Sequence, residues 1–253
     1  MNIIKIIETE LQSIEKEFEV TIFFACESGS RAWGFESTDS DYDIRFLYYH
    51  DLDWYLSLKE KKDVIERPID EKLDINGWDL QKTLKLMRKS NPPLFEWLQS
   101  PIIYKDNPKT SNILKEVFPK YYSSKNCHYH YLHMARGNFR EYLKGKEVWL
   151  KKYFYVLRPI LACRWIEKFD KPVPMEFQLL VEKTLQDSQL KNDVYNLVER
   201  KKSGEELDFG RRIPSISDFA EAEIDRLEKS HPEKAEYKDF SELDEIFKKI
   251  VIE

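Results

Sequence analysis

Asp41 and Asp43 flank Tyr42 at the head of the apolar run Ile44-Arg-Phe-Leu-Tyr-Tyr49, a short way after Gly29-Ser30. Alternate residues of a strand share a face, so the spacing predicts that both carboxylates project together while Tyr42 points away. Two carboxylates that close repel each other unless a proton or a cation sits between them. Hard oxygen ligands select Mg²⁺, which takes one or two carboxylates together with substrate phosphates. Gly29 and Ser30 predict a tight turn presenting backbone N–H groups and a hydroxyl to an anionic phosphate. A phosphate cradle one strand away from a metal clamp predicts phosphoryl transfer. The bland alternative is a solvated acidic turn in Ser37-Thr-Asp-Ser-Asp-Tyr-Asp43, and it is the weaker reading.

Several elements must hold these residues in place. Val20-Thr-Ile-Phe-Phe-Ala25 reads as the strand leading into the glycine–serine turn. Ile3, Ile7, Leu11, Ile14 and Phe18 recur at helical spacing, which predicts an amphipathic helix covering the sheet that follows. His50-Asp-Leu-Asp-Trp-Tyr-Leu-Ser-Leu58 fits either a short helix or a loop. Val64-Ile65 and Leu73-Asp-Ile75 predict a hairpin or a bulged pair of strands added to the sheet, with a turn at Arg67-Pro-Ile-Asp70. A helix follows from about Asp79 to Lys89, with Asp79 placed to cap its start. Ser90-Asn-Pro-Pro93 ends it, and Leu94 to Leu98 form a short packed helix.

A boundary is expected near Asp106-Asn-Pro108, giving a domain over 1–106 and a helical one over 107–253. Helices are predicted from Tyr129 to Leu143 and from Val148 to Phe169, the second crossing Pro159. Leu150, Phe154, Leu157, Leu161 and Trp165 form its apolar stripe, and Lys151 and Arg158 share a line beside it, with Tyr155 close by. Further helices are expected over Phe177–Leu185 and Leu190–Val198, with the polar connection Lys201–Glu206 after them. Ser215-Ile-Ser-Asp218 resembles a capping box, His231-Pro-Glu-Lys234 a loop, and Leu243 to Ile250 a closing helix. Cys127, His128, His130 and His133 lack a second ligand pair at zinc-finger spacing and read as ordinary helix residues.

Composition limits the classes. A chain of 253 residues with 42% hydrophobic and 14% aromatic residues can bury a real core. The net charge of −5 argues against tight, sequence-independent binding of long duplexes. Three widely spaced cysteines and no export signal predict reduced thiols in a cytoplasm, and no apolar run reaches membrane-spanning length.

Taken together, Glu27-Ser-Gly-Ser-Arg-Ala-Trp-Gly-Phe35, Asp39-Ser-Asp-Tyr-Asp-Ile-Arg45, Asn76-Gly-Trp-Asp-Leu80, Ser90-Asn-Pro92 and Arg158-Pro-Ile-Leu-Ala-Cys-Arg-Trp165 carry a family resemblance. The chain resembles the DNA polymerase β superfamily of nucleotidyltransferases, and within it the branch assigned to RNA repair pathways. That resemblance implies an α+β fold, a small mixed sheet followed by a helical domain, with the site in the cleft between them. It implies a third carboxylate from a strand beside the Asp-x-Asp strand. Asp74 fits that slot better than Asp79. Two Mg²⁺ ions are then expected on Asp41, Asp43 and Asp74, with Asp74 also the candidate proton acceptor. Gly29, Ser30 and Arg31 would hold the triphosphate, with Lys151, Arg158 and Tyr155 in the helical part. The acceptor implied is an RNA end, possibly that of a tRNA, with Arg136 and Arg140, joined by Lys144 and Lys146, as its basic groove. The rivals are nucleotidylation of a protein or small molecule, and a non-catalytic nucleotide-binding module.

Overall fold

The computed structural model describes residues 2–68, 72–230 and 235–252. The chain begins with α1 (Ile3–Phe18), β1 (Val20–Glu27), α2 (Gly29–Trp33), β2 (Tyr42–His50), α3 (Leu52–Tyr55), β3 (Val64–Glu66) and β4 (Leu73–Asp79). It continues through α4 (Leu80–Arg88), α5 (Pro92–Leu98), β5 (Ile103–Asp106), α6 (Pro108–Tyr121), α7 (Ser124–Tyr142) and β6 (Glu147–Trp149). Last come α8 (Lys152–Phe169), α9 (Phe177–Thr184), α10 (Ser188–Lys202), β7 (Phe209–Arg211), α11 (Pro214–Ser230) and α12 (Ser241–Ile252). The class is α+β. No helix of the described residues is long and apolar enough to cross a membrane.

The chain groups into two compact units. The first contains Met1–Ala32, Asp41–Tyr122 and Tyr237–Glu253; the second contains Trp33–Ser40 and Ser123–Glu236. In the first, five strands run in the order β3-β4-β2-β1-β5. Only β2 and β4 are parallel neighbours; the other pairings are antiparallel. A parallel pair needs a crossover, and here α3 and β3 supply it. Ile7, Leu11 and Ile14 of α1 pack with Ile22, Ala25, Ile44, Phe46 and Tyr48, so one sheet face is sealed as the helical period predicts. On β4, Asp74, Asn76 and Trp78 share the opposite face by alternation, and Trp78 stacks on Trp97 of α5 at 3.7 Å.

Capping explains why α4 begins where it does. Asp79 is its N-cap, accepting from Gln81 N–H at 2.7 Å and from Tyr55 O–H at 2.7 Å. Asn91, in the stretch expected to end that helix, caps α5 by accepting from Leu94 N–H.

The expected division at residues 106 and 107 does not match the observed grouping. Strand β5 pairs with β1, α6 packs on β1, and α12 returns to the first unit. There Phe247 meets Tyr55 edge-on at 4.9 Å, and Arg88 Nε donates to the Lys238 carbonyl at 2.6 Å.

In the second unit, α7, α8, α9 and α11 pack around the buried stripe of α8, which runs across Pro159. Two sequence expectations fail here. Val148 and Trp149 are not the start of α8 but part of β6, which pairs with β7. Ser215 is not a cap: α11 begins at Pro214, the Ser215 hydroxyl donates to Asp193, and Asp218 pairs with Arg212. The turn expected at Arg67–Asp70 falls partly outside the described residues, and the His231–Lys234 loop wholly so. All three cysteines are free and buried.

Candidate active site

Pairing in the sheet brings the carboxylates together. Strands β2 and β4 run parallel with Asp43 opposite Asp74, so the two side chains stand side by side on the face away from α1. Between them lies Arg45, two residues along β2 from Asp43. Its Nη2 donates to Asp74 Oδ2 at 2.7 Å and to Asp43 Oδ1 at 3.2 Å, and its Nη1 donates to the Asp74 carbonyl at 2.8 Å. A guanidinium offers several fixed donors at once, so this one joins neighbouring strands and offsets the repulsion of two acids.

On its other side Asp43 touches the glycine turn. Gly29 adopts φ +59°, and a Cβ there would lie 2.0 Å from Asp43 Oδ2. Only glycine allows both that backbone and that approach. The expected turn is the first residue of the short helix α2, and Ser28 N–H donates to the Asp43 carbonyl at 2.8 Å. Ser30 and Arg31 follow, half-buried. Arg31 lies over the Tyr42 ring at 3.7 Å, and its Nε donates to the Asp41 carbonyl at 3.1 Å.

Asp41 is exposed and stands one residue ahead of β2, not on it. Its charge still reaches Asp43, whose pKa is raised by burial first, opposed by Arg45 and reinforced by Asp74 and Asp41.

Glu27, like Arg45, is a site residue to which the sequence assigned no role. It is buried at 0% exposure at the end of β1 and accepts from Asp43 N–H at 2.7 Å and from Tyr104 O–H of β5. Burial raises its pKa to about 7 against the lowering effect of those two donors. A line of polar contacts therefore crosses four adjacent strands, from Tyr104 through Glu27, Asp43 and Arg45 to Asp74. The sequence signal for Glu27 was its place immediately before the Ser-Gly-Ser turn. Tyr104 gave none, because β5 itself was not foreseen.

Asp43 and Asp74 fit the one or two carboxylates that a hard divalent cation takes. Among the described residues, no group of three His, Cys, Asp or Glu side chains is gathered to hold a metal ion. A three-carboxylate cage is therefore not preformed; a carboxylate pair, already sharing one protein cation, is. Asp79 belongs to the helix cap, and Lys82 pairs with Asp63 at 3.1 Å.

The remaining candidates lie in the second unit. Lys151 is exposed at the N-cap of α8, whereas Arg158 is buried and lies over the Trp33 ring at 4.8 Å. Tyr155 is partly exposed and meets Trp33 edge-on at 5.9 Å. Trp33, to which the sequence assigned no role, is what joins Tyr155 to Arg158. Arg136 and Arg140 lie exposed one turn apart on α7, with Arg136 bound to Glu228 at 3.2 Å.

Comparison with known proteins adds the family. The model of a family described as the RNA repair pathway DNA polymerase beta family matches residues 3–249. A Bacillus subtilis (strain 168) protein, "Uncharacterized protein YcgL", is 50% identical over 239 residues, covering 94% of this chain and 92% of its own. A nucleotidyltransferase-like protein from Exiguobacterium sibiricum 255-15 aligns over 87% of this chain and 75% of its own, at 10% identity and a TM-score of 0.34.

Proposed function

The chain belongs to the RNA repair pathway DNA polymerase beta family, and from that premise we propose that it transfers a nucleoside monophosphate from a nucleoside triphosphate to the hydroxyl of an RNA end. The observation that carries the proposal is the Asp43–Asp74 pair, set side by side on parallel strands against the Gly29 turn. In the reaction the acceptor oxygen forms a bond to the α-phosphorus, the α–β bridging bond breaks, and pyrophosphate leaves while the hydroxyl proton passes to a base.

Asp43 and Asp74 would hold a divalent cation, with Asp41 the candidate for a second; hard-oxygen preference makes it Mg²⁺. Such an ion supplies positive charge to the phosphate oxygens and acidifies a bound hydroxyl. Arg45 keeps the two acids aligned. Asp74 is the candidate proton acceptor. Gly29 and Ser30 would bind outer phosphate oxygens through N–H and hydroxyl groups, and Arg31 would add charge. Lys151, Tyr155 and Arg158 are the nucleotide-side candidates named by the family resemblance, and Arg136 and Arg140 the acceptor-side ones.

The test is incubation of the chain with α-labelled nucleoside triphosphates, Mg²⁺ and separate pools of RNA, protein and metabolites. Label is expected in RNA, and removal of Mg²⁺ with a chelator should abolish it. Label only in protein or metabolites would overturn the acceptor assignment. No transfer to any pool would favour a nucleotide-binding module.

A further inference from the structure

Strands β6 and β7 form a ribbon that no part of the mechanism uses. Trp149 lies opposite Phe209 and Glu147 opposite Arg211, while Val148 and Gly210 turn to the other side. That other side is anchored: Val148 is buried, and a Cβ on Gly210 would lie 3.2 Å from Leu150. The ladder extends past both ends of the strands. Arg212 N–H donates to the Lys146 carbonyl, and Leu150 and Lys151 N–H groups donate to Asp208 and Leu207 carbonyls. A firmly held ribbon thus presents two large rings outward. Trp149 is 46% and Phe209 57% exposed, with ring centroids 5.8 Å apart. Beside the rings, Lys146, Glu147, Phe209, Arg211 and Arg212 line a shallow groove of about 660 Å³.

Charge decides what such rings fit. Lys144, Lys146, Lys151 and Arg211 are exposed around the ribbon, against the acids Glu147, Glu206 and Asp208, while Glu205 is taken up by Arg200. This local excess of cations stands out in a chain of net charge −5. Rings flanked by cations are how proteins hold unpaired strands: bases stack on the π-faces and phosphates meet the charges. A duplex keeps its bases stacked inside and offers no such face.

We propose that the β6–β7 ribbon is a docking platform for single-stranded RNA, with a base stacked on Trp149 or Phe209 and phosphates at Arg211 and Lys146. The proposal rests on the acceptor being RNA and adds stacking rings to the acceptor-side cations, of which Lys146 stands at the start of the ribbon.

The test measures anisotropy of a short fluorescein-labelled single-stranded RNA with the full chain, over a range of salt, beside a single-stranded DNA of the same sequence and an RNA duplex. Trp149→Ala/Phe209→Ala should weaken single-stranded RNA binding about tenfold or more, and Trp149→Phe should retain most of it. Arg211→Gln and Lys146→Gln should each lower the salt slope by about 0.7. Binding of a fluorescent nucleoside triphosphate should be unchanged in all four variants, which also reports that they are folded. Equal RNA binding by the double alanine variant overturns the platform and leaves an RNA acceptor standing. Absence of single-stranded RNA binding by the unaltered chain, with label transferred to another pool, overturns both. A double variant that instead dissolves a dimer in sedimentation, with RNA binding intact, makes the ribbon a contact between copies and also overturns the proposal.

Discussion

Glu27 binds its proton more tightly in the folded chain, where its pKa is about 7, than in the unfolded chain, where it is near the ordinary 4.5. Between those values the native state carries more protons, so this residue's contribution to stability falls as pH rises and levels off above about pH 7. Glu27→Gln keeps the shape and cannot titrate. Its stability relative to the unaltered chain should rise from pH 5 to pH 8 by on the order of 2 kcal/mol. Urea unfolding at successive pH values checks this, and parallel curves would contradict it. Gly29→Ala should act on the same site by sterics. A methyl 2.0 Å from Asp43 Oδ2, at φ +59°, forces the carboxylate to move or the turn to strain by about 1–3 kcal/mol. Nucleotidyl transfer should fall even where thermal unfolding shows the chain intact. At this scale the motif residues could be read in the sequence because strand alternation and glycine geometry are local rules. Arg45 and Glu27 could not be assigned roles, because their partners Asp74 and Tyr104 arrive from strands far along the chain.

Among the elements, α4 shows how a cap fixes a helix beside the site. Asp79 is buried and holds both the first turn of α4 and the Tyr55 hydroxyl. Asp79→Ala should cost about 1–3 kcal/mol, the loss of a cap and of a buried hydrogen bond, and Asp79→Asn less; thermal melts compare them. The sequence foresaw this cap, as it foresaw α1 and the β3–β4 hairpin, since each has its signal within a few residues. It missed β6 for a physical reason: Leu150, buried beside the ribbon, also falls on the apolar stripe of the helix that follows, and three residues of strand are too few for the alternation at Val148 to outweigh that stripe. The decisive partner, β7, lies about sixty residues away.

At the scale of the whole molecule, the last helix belongs with the first strands. Leu243, Ile246 and Ile250 of α12 are buried, and Lys120 pairs with Glu242. Deleting residues 237–253 should therefore destabilise the sheet unit by on the order of 5 kcal/mol from lost apolar burial. Hydrogen exchange would locate the loss of protection in β2, β4 and α4; unchanged exchange there would contradict the grouping. A linear reading places such a helix with its sequence neighbours, because nothing in an amphipathic stripe names the surface it covers.

The account stands most directly on the Asp43–Asp74 pair, and pyrophosphate release is its most direct readout. Chain, nucleoside triphosphate, Mg²⁺ and single-stranded RNA should release pyrophosphate steadily, and Asp43→Asn and Asp74→Asn should each slow release by about a hundredfold or more while still folding. Release at the unaltered rate by either variant would contradict the account.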